Sequence, residues 1–388
     1  MGLFSRAPKI PEPHVTRTLT ISQIVYHPGS RVAGNLTLQC PTQRQIVRVE
    51  ASFHGTASTH LWRSESSGSG DSRTTRNIDY KDDADLFRHT QLLDKSFNAQ
   101  PGQTFSWPFD FAFPFETTNS RGEVYRKETA CSPSYQVLPH DLPPSFDYEL
   151  SHSTFARVKY NVEAILHFAD AEEPMIVKFE DFNFSPLPLA YPIQAPFVEH
   201  VRDVEKYASS RLTGREKSFR LSIRDKFSSA TPSLDVSMKA SVLPVVTTGS
   251  TFSLFVCAEL SNLSDPYSIS VPDVQLRIKS LKLRKTATFR AIRADGWSSW
   301  PEMEETHNES LILNALPEVR TAEMQVGDRK QLVFPAAFEA RLPGDCAPCF
   351  STVNINYSCG LKIVVEAEVC GKVFEHKFEM APYTVLPA

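Results

Sequence analysis

The chain has 388 residues, of which 41% are hydrophobic and 22% charged, with 41 Lys and Arg against 45 Asp and Glu. This length exceeds what one hydrophobic core usually organises, so we expect two domains. The composition excludes a globally disordered chain, and the formal net charge of −4 argues against a dedicated nucleic-acid binder, which needs a positive field. The 28 Pro and 26 Phe against only 15 Gly favour short strands joined by Pro-bearing loops.

The N-terminal residues lack the apolar stretch of a signal peptide, and no apolar run approaches the ~18 residues of a membrane-spanning helix. Seven Cys in a chain without an export signal are typical of reduced thiols. We therefore expect a soluble cytosolic protein.

Hydrophobic and polar residues alternate along most of the chain, which is the period of a β-strand. Residues 15–21 and 31–38 alternate on either side of His27-Pro28-Gly29-Ser30, so this stretch predicts a hairpin. Residues 104–113 place large aromatic side chains on one strand face, and these are Phe105, Trp107, Phe109, Phe111 and Phe113. Such a face needs an opposing apolar layer, so we predict sheets packed as a β-sandwich.

Segments without this alternation suggest where the strands are interrupted. Ser64 to Asp85 is rich in Ser, Gly and Asp and predicts a flexible excursion between strands. Residues 186–232 join a Pro-rich segment to a charged stretch and predict an interdomain connection, with a short helix near Val198 to Tyr207. We accordingly place one β-sandwich at residues 1–185 and a second at 233–388.

The two halves repeat similar elements in the same order. Pro144-Ser145-Phe146 precedes a strand that carries Tyr160, as Pro348-Cys349-Phe350 precedes a strand that carries Tyr357. This shared order predicts that one β-sandwich was duplicated and that each copy buries its own core. Two looser matches are Phe111-Ala112-Phe113-Pro114 with Leu332-Val333-Phe334-Pro335, and residues 47–53 with 276–281.

Motifs of enzymes and metal sites are nearly absent from the sequence. It has no phosphate-binding loop, no nucleophile elbow and no paired metal-binding His. Cys346-Ala347-Pro348-Cys349 has the spacing of a thiol-exchange motif, but that motif opens a helix, and here the surroundings predict strands. We predict no enzyme, no cofactor and no metal, and keep a thiol enzyme at Cys346 and Cys349 as the alternative from another class.

A basic strand is the strongest polar signal. Residues 274–294 hold seven Lys or Arg and no acidic residue, and their alternation with Leu and Ile places the cations on the solvent side, with a phase slip that suggests a bulge. This face is either a solvated edge that discourages aggregation or an anion-binding surface for phosphorylated tails or acidic lipid headgroups. The candidate anion- or partner-binding residues are Arg277, Lys279, Lys282, Arg284 and Arg290.

A second basic cluster lies in the predicted interdomain connection. It either faces a membrane or keeps the linker solvated. Its candidate residues are Arg211, Arg215, Lys217 and Arg220.

Two further segments are each open to a binding interpretation and to a structural one. Trp297 and Trp300 lie close together in a loop that precedes several Glu, and we expect them to cover the end of a core. Residues 139–146 resemble a Pro-rich ligand of groove-type domains, but their counterpart in the repeat favours a structural entry into a strand.

Several of these segments resemble the arrestin fold. Tyr26 to Gly34 is similar to its first hairpin, and Leu142-Pro143-Pro144-Ser145-Phe146 with Val158 to Val162 resembles the end of the N-terminal domain in fungal arrestin-domain proteins, the α-arrestins. Asp85 to Leu93 and Pro382 to Pro387 resemble other strands of that group. The resemblance covers nearly the whole chain and implies two tandem immunoglobulin-like β-sandwiches.

The same resemblance implies a non-catalytic adaptor. Members recognise the cytoplasmic tails of transporters or receptors at the plasma membrane or endosomes, recruit a WW-domain ubiquitin ligase and promote ubiquitin-dependent endocytosis. The family recruits its ligase through Pro-Pro-x-Tyr, whereas Pro143-Pro144-Ser145-Phe146 has Phe in place of Tyr. We therefore expect action with another arrestin, through another contact, or on cargo without ubiquitin, and keep a retromer-subunit-like sorting scaffold as a second possibility.

Overall fold

The computed structural model describes residues 16–21, 25–67, 74–118, 135, 139–151, 153–186, 198–201, 204–213, 231–264, 269, 273–293, 302–314, 320–321, 325–326 and 331–386. Within these ranges the chain forms strands almost throughout, together with one 3₁₀ helix at Ser210–Thr213. The strands of the first half are β1 (Thr16–Ile21), β2 (Val25–Tyr26), β3 (Arg31–Gln39), β4 (Arg44–Ser67), β5 (Thr74–Ala99), β6 (Thr104–Ala112), β7 (Phe146–Ser151), β8 (Thr154–Phe168) and β9 (Met175–Phe184). Those that follow are β10 (Val198–Val201), β11 (Glu205–Ala208), β12 (Ser233–Val242), β13 (Val245–Thr247), β14 (Thr251–Ser261), β15 (Val274–Arg293), β16 (Glu302–Ile312), β17 (Arg320–Thr321), β18 (Gln325–Val326), β19 (Gln331–Arg341), β20 (Phe350–Ser351), β21 (Ile355–Val369) and β22 (Lys372–Leu386).

The chain divides into two compact units. The first comprises Met1–Leu187, Phe289–Glu305 and Ser351–Ile355, and the second comprises Pro188–Thr288, Thr306–Phe350 and Asn356–Ala388. Two segments that our boundaries place in the second sandwich therefore group with the first unit.

Part of the predicted interdomain connection forms strands of the second unit. β10 and β11 both pair antiparallel with β12. The helix expected near Val198 to Tyr207 was wrong, because the free backbone groups along the side of β12 give these short segments their hydrogen-bond partners.

In the first unit two sheets enclose an aromatic core. One sheet has the order β1-β3-β6, and the other has the order β5-β4-β8-β9-β2 with β7 paired to β8. Phe111 and Phe113, from β6 and the residue that follows it, lie with ring centroids 5.7 Å and 4.7 Å from the ring of Phe53 on β4. The predicted sandwich with an aromatic inner face is confirmed.

The second unit repeats this arrangement strand for strand. One sheet contains β12-β14-β19, and the other contains β16-β15-β21-β22-β13 with β20 paired to β21. The correspondence follows chain order, since β1 to β5 match β12 to β16 and β6 to β9 match β19 to β22, while β17 and β18 match no described strand of the first unit. In the described part of the chain both units also share a parallel pair, β2 with β9 and β13 with β22. The predicted duplication is confirmed.

One detail of the predicted repeat was wrong. Gly29 and Gly249 occupy equivalent turns at φ +77° and +73°, and the carbonyls of the residues that follow them, Ser30 and Ser250, accept from the N–H groups of Phe113 and Leu342. This equivalence matches Phe113 with Leu342, eight residues beyond the predicted Phe334. Alternation with a period of two looks alike at every even shift along a strand, whereas the turn fixes the register.

Two predicted local elements need adjustment. β1 and β3 pair antiparallel as expected, but the turn at His27 to Ser30 joins β2 to β3, which lie in different sheets. The flexible excursion predicted at Ser64 to Asp85 was wrong where the structure describes it, because β4 runs to Ser67, β5 starts at Thr74, and the two strands pair there. Side chains near this tip are exposed on both faces, so the hydrophobic alternation that marks a half-buried strand is missing.

Candidate functional site

The first half of the basic strand pairs with acidic residues of its neighbours. Arg277 forms an ion pair with Glu366 of β21, and Lys279 Nζ lies 3.0 Å from Glu366 Oε1 and 2.5 Å from Glu375 Oε2 on β22. The Glu366 side chain is only 7% exposed. Hydrogen bonds from Lys279 and Arg277 lower the pKa of Glu366, and the bond to Glu375 raises the pKa of Lys279. An incoming anion would have to compete with two carboxylates already in place.

Further along the strand the cations form fewer and longer ion pairs. Arg284 Nε donates to the side-chain oxygen of Asn308 at 3.2 Å, and Lys285 Nζ lies 3.9 Å from Glu309. Lys282 is half-buried, and no described residue forms an ion pair with it. The burial pattern changes phase between Ile278 and Leu281, as the predicted slip requires.

Arg290 does not face solvent, and this expectation was wrong. It is 1% exposed, lies within the first unit, and its Nε donates to the carbonyl of Val353 at 2.9 Å. Near its C-terminal end β15 is buried on both faces, so alternation no longer separates a core side from a solvent side.

Arg290 forms the centre of a buried network in the first unit. Its guanidinium lies 4.0 Å from the ring centroid of Tyr135, and Tyr135 Oη donates to Glu304 Oε2 at 3.0 Å. Its backbone carbonyl accepts from Thr59 Oγ1, and Asn354 Nδ2 donates to the carbonyl of Ala57. Burial, together with the charge of Glu304, raises the pKa of Tyr135, so the phenol stays protonated and donates this bond. These contacts anchor segments from the second half of the sequence within the first unit.

The second basic cluster is only partly visible. Arg211 lies in the 3₁₀ helix and donates to the carbonyl of Cys370 at 2.7 Å, a structural bond at the β21–β22 turn. Arg215, Lys217 and Arg220 lie outside the described residues, as do Trp297 and Trp300.

An acidic cleft is the feature that sequence reasoning missed. The cleft has a volume of about 600 Å³ and lies in the first unit between the β4–β5 ribbon and the start of β16. Sequence proximity was a partial signal, because three Glu follow one another closely, but their approach to Trp62 depends on the fold. The residues lining the cleft are Trp62, Arg63, Ser64, Glu65, Tyr80, Glu302, Met303, Glu304 and Glu305.

The cysteine motif has a different local structure from a thiol-exchange site. Residues 346–349 lead into β20, and no helix begins there. Burial raises the pKa of the Cys346 thiol. Cys349 accepts a hydrogen bond from the thiol of Cys359, which lowers the pKa of Cys349 and raises that of Cys359. In the described residues no group of three or more His, Cys, Asp or Glu is placed to hold a metal ion.

The Pro-rich segment is part of the first core. Pro143, Pro144 and Phe146 are buried, and Tyr160 Oη donates to the carbonyl of Pro143 at 2.5 Å. The structural interpretation of this segment is confirmed, because a groove-type partner could reach these prolines only if the core opened.

The fold and the strand order therefore define a duplicated β-sandwich of the arrestin type. Residues 16–137 match the family Arrestin (or S-antigen), N-terminal domain. The chain therefore contains an arrestin N-terminal domain, and the predicted all-β arrestin fold is confirmed. No curated protein matches the chain. Among the described residues no helix is long and apolar enough to cross a bilayer.

Proposed function

We propose that this protein is a non-catalytic cytosolic adaptor that binds the cytoplasmic tails of membrane proteins and directs them into ubiquitin-dependent endocytosis and trafficking. The observation that carries the proposal is the arrestin N-terminal domain at residues 16–137, within two sandwiches of equal strand order. Adaptors of this kind act by holding two partners together, which raises their effective concentration and needs no catalytic residue.

The route to a ubiquitin ligase bypasses the Pro143–Phe146 segment. Its prolines are buried and Tyr160 holds its backbone, so a WW domain would have to unfold the strand entry to bind it. The adaptor instead works with another arrestin or through a second contact. Its place of action is the cytosolic face of the plasma membrane or of endosomes, and nucleic acid is not a partner.

In this proposal the first half of the basic strand contributes little to the binding of anionic tails or headgroups. Binding of a phosphorylated tail or an acidic headgroup by Arg277 and Lys279 would break their ion pairs with Glu366 and Glu375. We propose Lys282 and Arg284 as the cations of this strand that remain suited to such contacts.

Depletion of the protein tests the function directly. Surface biotinylation followed over time should show a subset of transporters or receptors that stay longer at the surface and carry less ubiquitin. Re-expression of the intact chain should restore their turnover. Unchanged lifetimes for every surface protein would contradict the adaptor role.

A further inference from the structure

We propose that the acidic cleft of the first unit binds a Lys- or Arg-bearing peptide segment of a partner protein. Its volume of about 600 Å³ lies within the range of roughly 300–1,000 Å³ that ligand-binding pockets occupy. The proposal concerns a surface distinct from the basic strand and of opposite charge.

Charge complementarity identifies the occupant. Four carboxylates line the cleft against one guanidinium, that of Arg63. A segment with positive side chains would gain Coulomb energy from this excess, whereas an acidic or phosphorylated segment would be repelled. A purely apolar segment would strip water from the carboxylates without replacing their hydrogen bonds. The lining carboxylates are Glu65, Glu302, Glu304 and Glu305.

An aromatic wall adds a second recognition element. Trp62 is 40% exposed although it is among the largest apolar side chains, and Tyr80 lines the same cleft. The face of a Trp ring is the best aromatic partner for a Lys ammonium or Arg guanidinium, and Arg can also stack on it. Exposed Trp beside carboxylates therefore favours a cationic side chain over a free metal ion.

The cleft is held in shape before any partner arrives. Glu304 accepts a hydrogen bond from the Tyr135 hydroxyl, and the Tyr135 ring stacks on the guanidinium of Arg290. Arg290 in turn donates a hydrogen bond to the backbone carbonyl of Val353. On the other wall Trp62 lies on paired strands, opposite Asp79 in the β4–β5 register. A preformed wall loses less conformational entropy when a peptide binds.

The cleft suits the tails that an adaptor would meet. Cytoplasmic segments that flank membrane spans carry an excess of Lys and Arg. This link rests on the proposed adaptor function, whereas peptide binding by the purified chain does not, so the two ideas can fail separately.

The test uses the full purified chain and a short fluorescent peptide of alternating Arg and Ser. Fluorescence anisotropy at low salt should detect binding, and the double variant Glu302→Gln/Glu305→Gln should weaken it by about fivefold or more. Trp62→Ala should weaken it by roughly three- to fivefold, through loss of the cation–π contact. The same peptide with citrulline in place of Arg keeps its shape without its charge and should not bind.

A matched control removes two charges at the other end of the unit. Glu172 and Glu173 follow the end of β8, where Phe168 pairs with Ile46 of β4. Ile46 lies 16 positions along β4 from Trp62, which is up to roughly 50 Å at about 3.3 Å per residue. Glu172→Gln/Glu173→Gln should leave peptide affinity within about twofold. Equal loss in both double variants, equal binding of a Glu-Ser peptide, or self-association that Glu302→Gln/Glu305→Gln abolishes would each overturn the proposal.

Discussion

The two units share a strand order but differ in one side chain. The residue before β7 and the residue before β20 each exchange hydrogen bonds with the last strand of their unit, and they do so with different acceptor atoms. In the first unit Ser145 N–H donates to the Phe184 carbonyl, and Phe184 N–H donates back to Ser145 Oγ at 2.8 Å. In the second unit Cys349 N–H donates to the Val385 carbonyl, and Val385 N–H donates back to Cys349 Sγ at 3.4 Å. The geometry of this reciprocal pair survived duplication, whereas the acceptor changed from a hydroxyl to a thiol.

The units also differ in how they are completed. The described part of the first unit includes residues 289–293, 302–305 and 351–355, held by the Arg290 network, in addition to the strands of its own half. The second unit instead adds β10 and β11 beside β12. The comparison teaches that duplication fixed the strand order, while the segments that finish each core were free to diverge.

Removing the buried guanidinium of Arg290, which holds the added segments of the first unit, should cause the largest loss of stability. Arg290→Met keeps much of the volume but loses the bond to Val353 and the contact with Tyr135. We expect a loss of about 3 kcal/mol of unfolding free energy, because a buried carbonyl loses its donor and the anchored segments loosen. Chemical denaturation measures it. Arg284→Met on the exposed part of β15 is the control, and a loss of equal size there would show that Arg290 has no special role.

Ser145→Ala should break the reciprocal pair of the first unit. Phe184 N–H then loses its acceptor at a part-buried position, at an expected cost of about 1–2 kcal/mol measured by denaturant unfolding. Ser145→Cys copies the second unit and should recover part of this loss. Full stability of the alanine variant would mean that the reciprocal bond is incidental.

Lys279→Glu should destabilise the second unit modestly. It places a third carboxylate beside Glu366 and Glu375, and we expect the melting temperature to fall by about 2 °C or more. Lys282→Glu, where no described residue forms an ion pair, should change it by less. Equal melting temperatures for both variants would show that the ion pairs of Lys279 with Glu366 and Glu375 do not stabilise the second unit.

Cys349→Ser should have the smallest effect. The hydroxyl can still accept from Val385 N–H and from the Cys359 thiol, so we expect a change below about 0.5 kcal/mol. The measurement is again unfolding in denaturant. A large loss would show that the contact between the Cys349 and Cys359 thiols contributes more to the stability of the second unit than Ser145 contributes to that of the first.

The sequence predicts the architecture well because alternation and turn residues are local signals. The strand face of residues 104–113 and the match between Ser145 and Cys349 both follow from such signals. Arg290 could not be placed, because whether the second face of a strand is covered depends on distant segments such as Val353 and Tyr135. The cleft was missed for the same reason, since Trp62 and Glu302 are remote in sequence.

The central claim is that the sandwich surfaces bind membrane proteins and perform no chemistry. Proximity labelling in cells, with the labelling enzyme fused to the intact chain and the same enzyme alone as reference, tests it most directly. We predict enrichment of transporters or receptors together with trafficking factors. Enrichment of soluble proteins alone, with no integral membrane protein above the reference, would contradict the account.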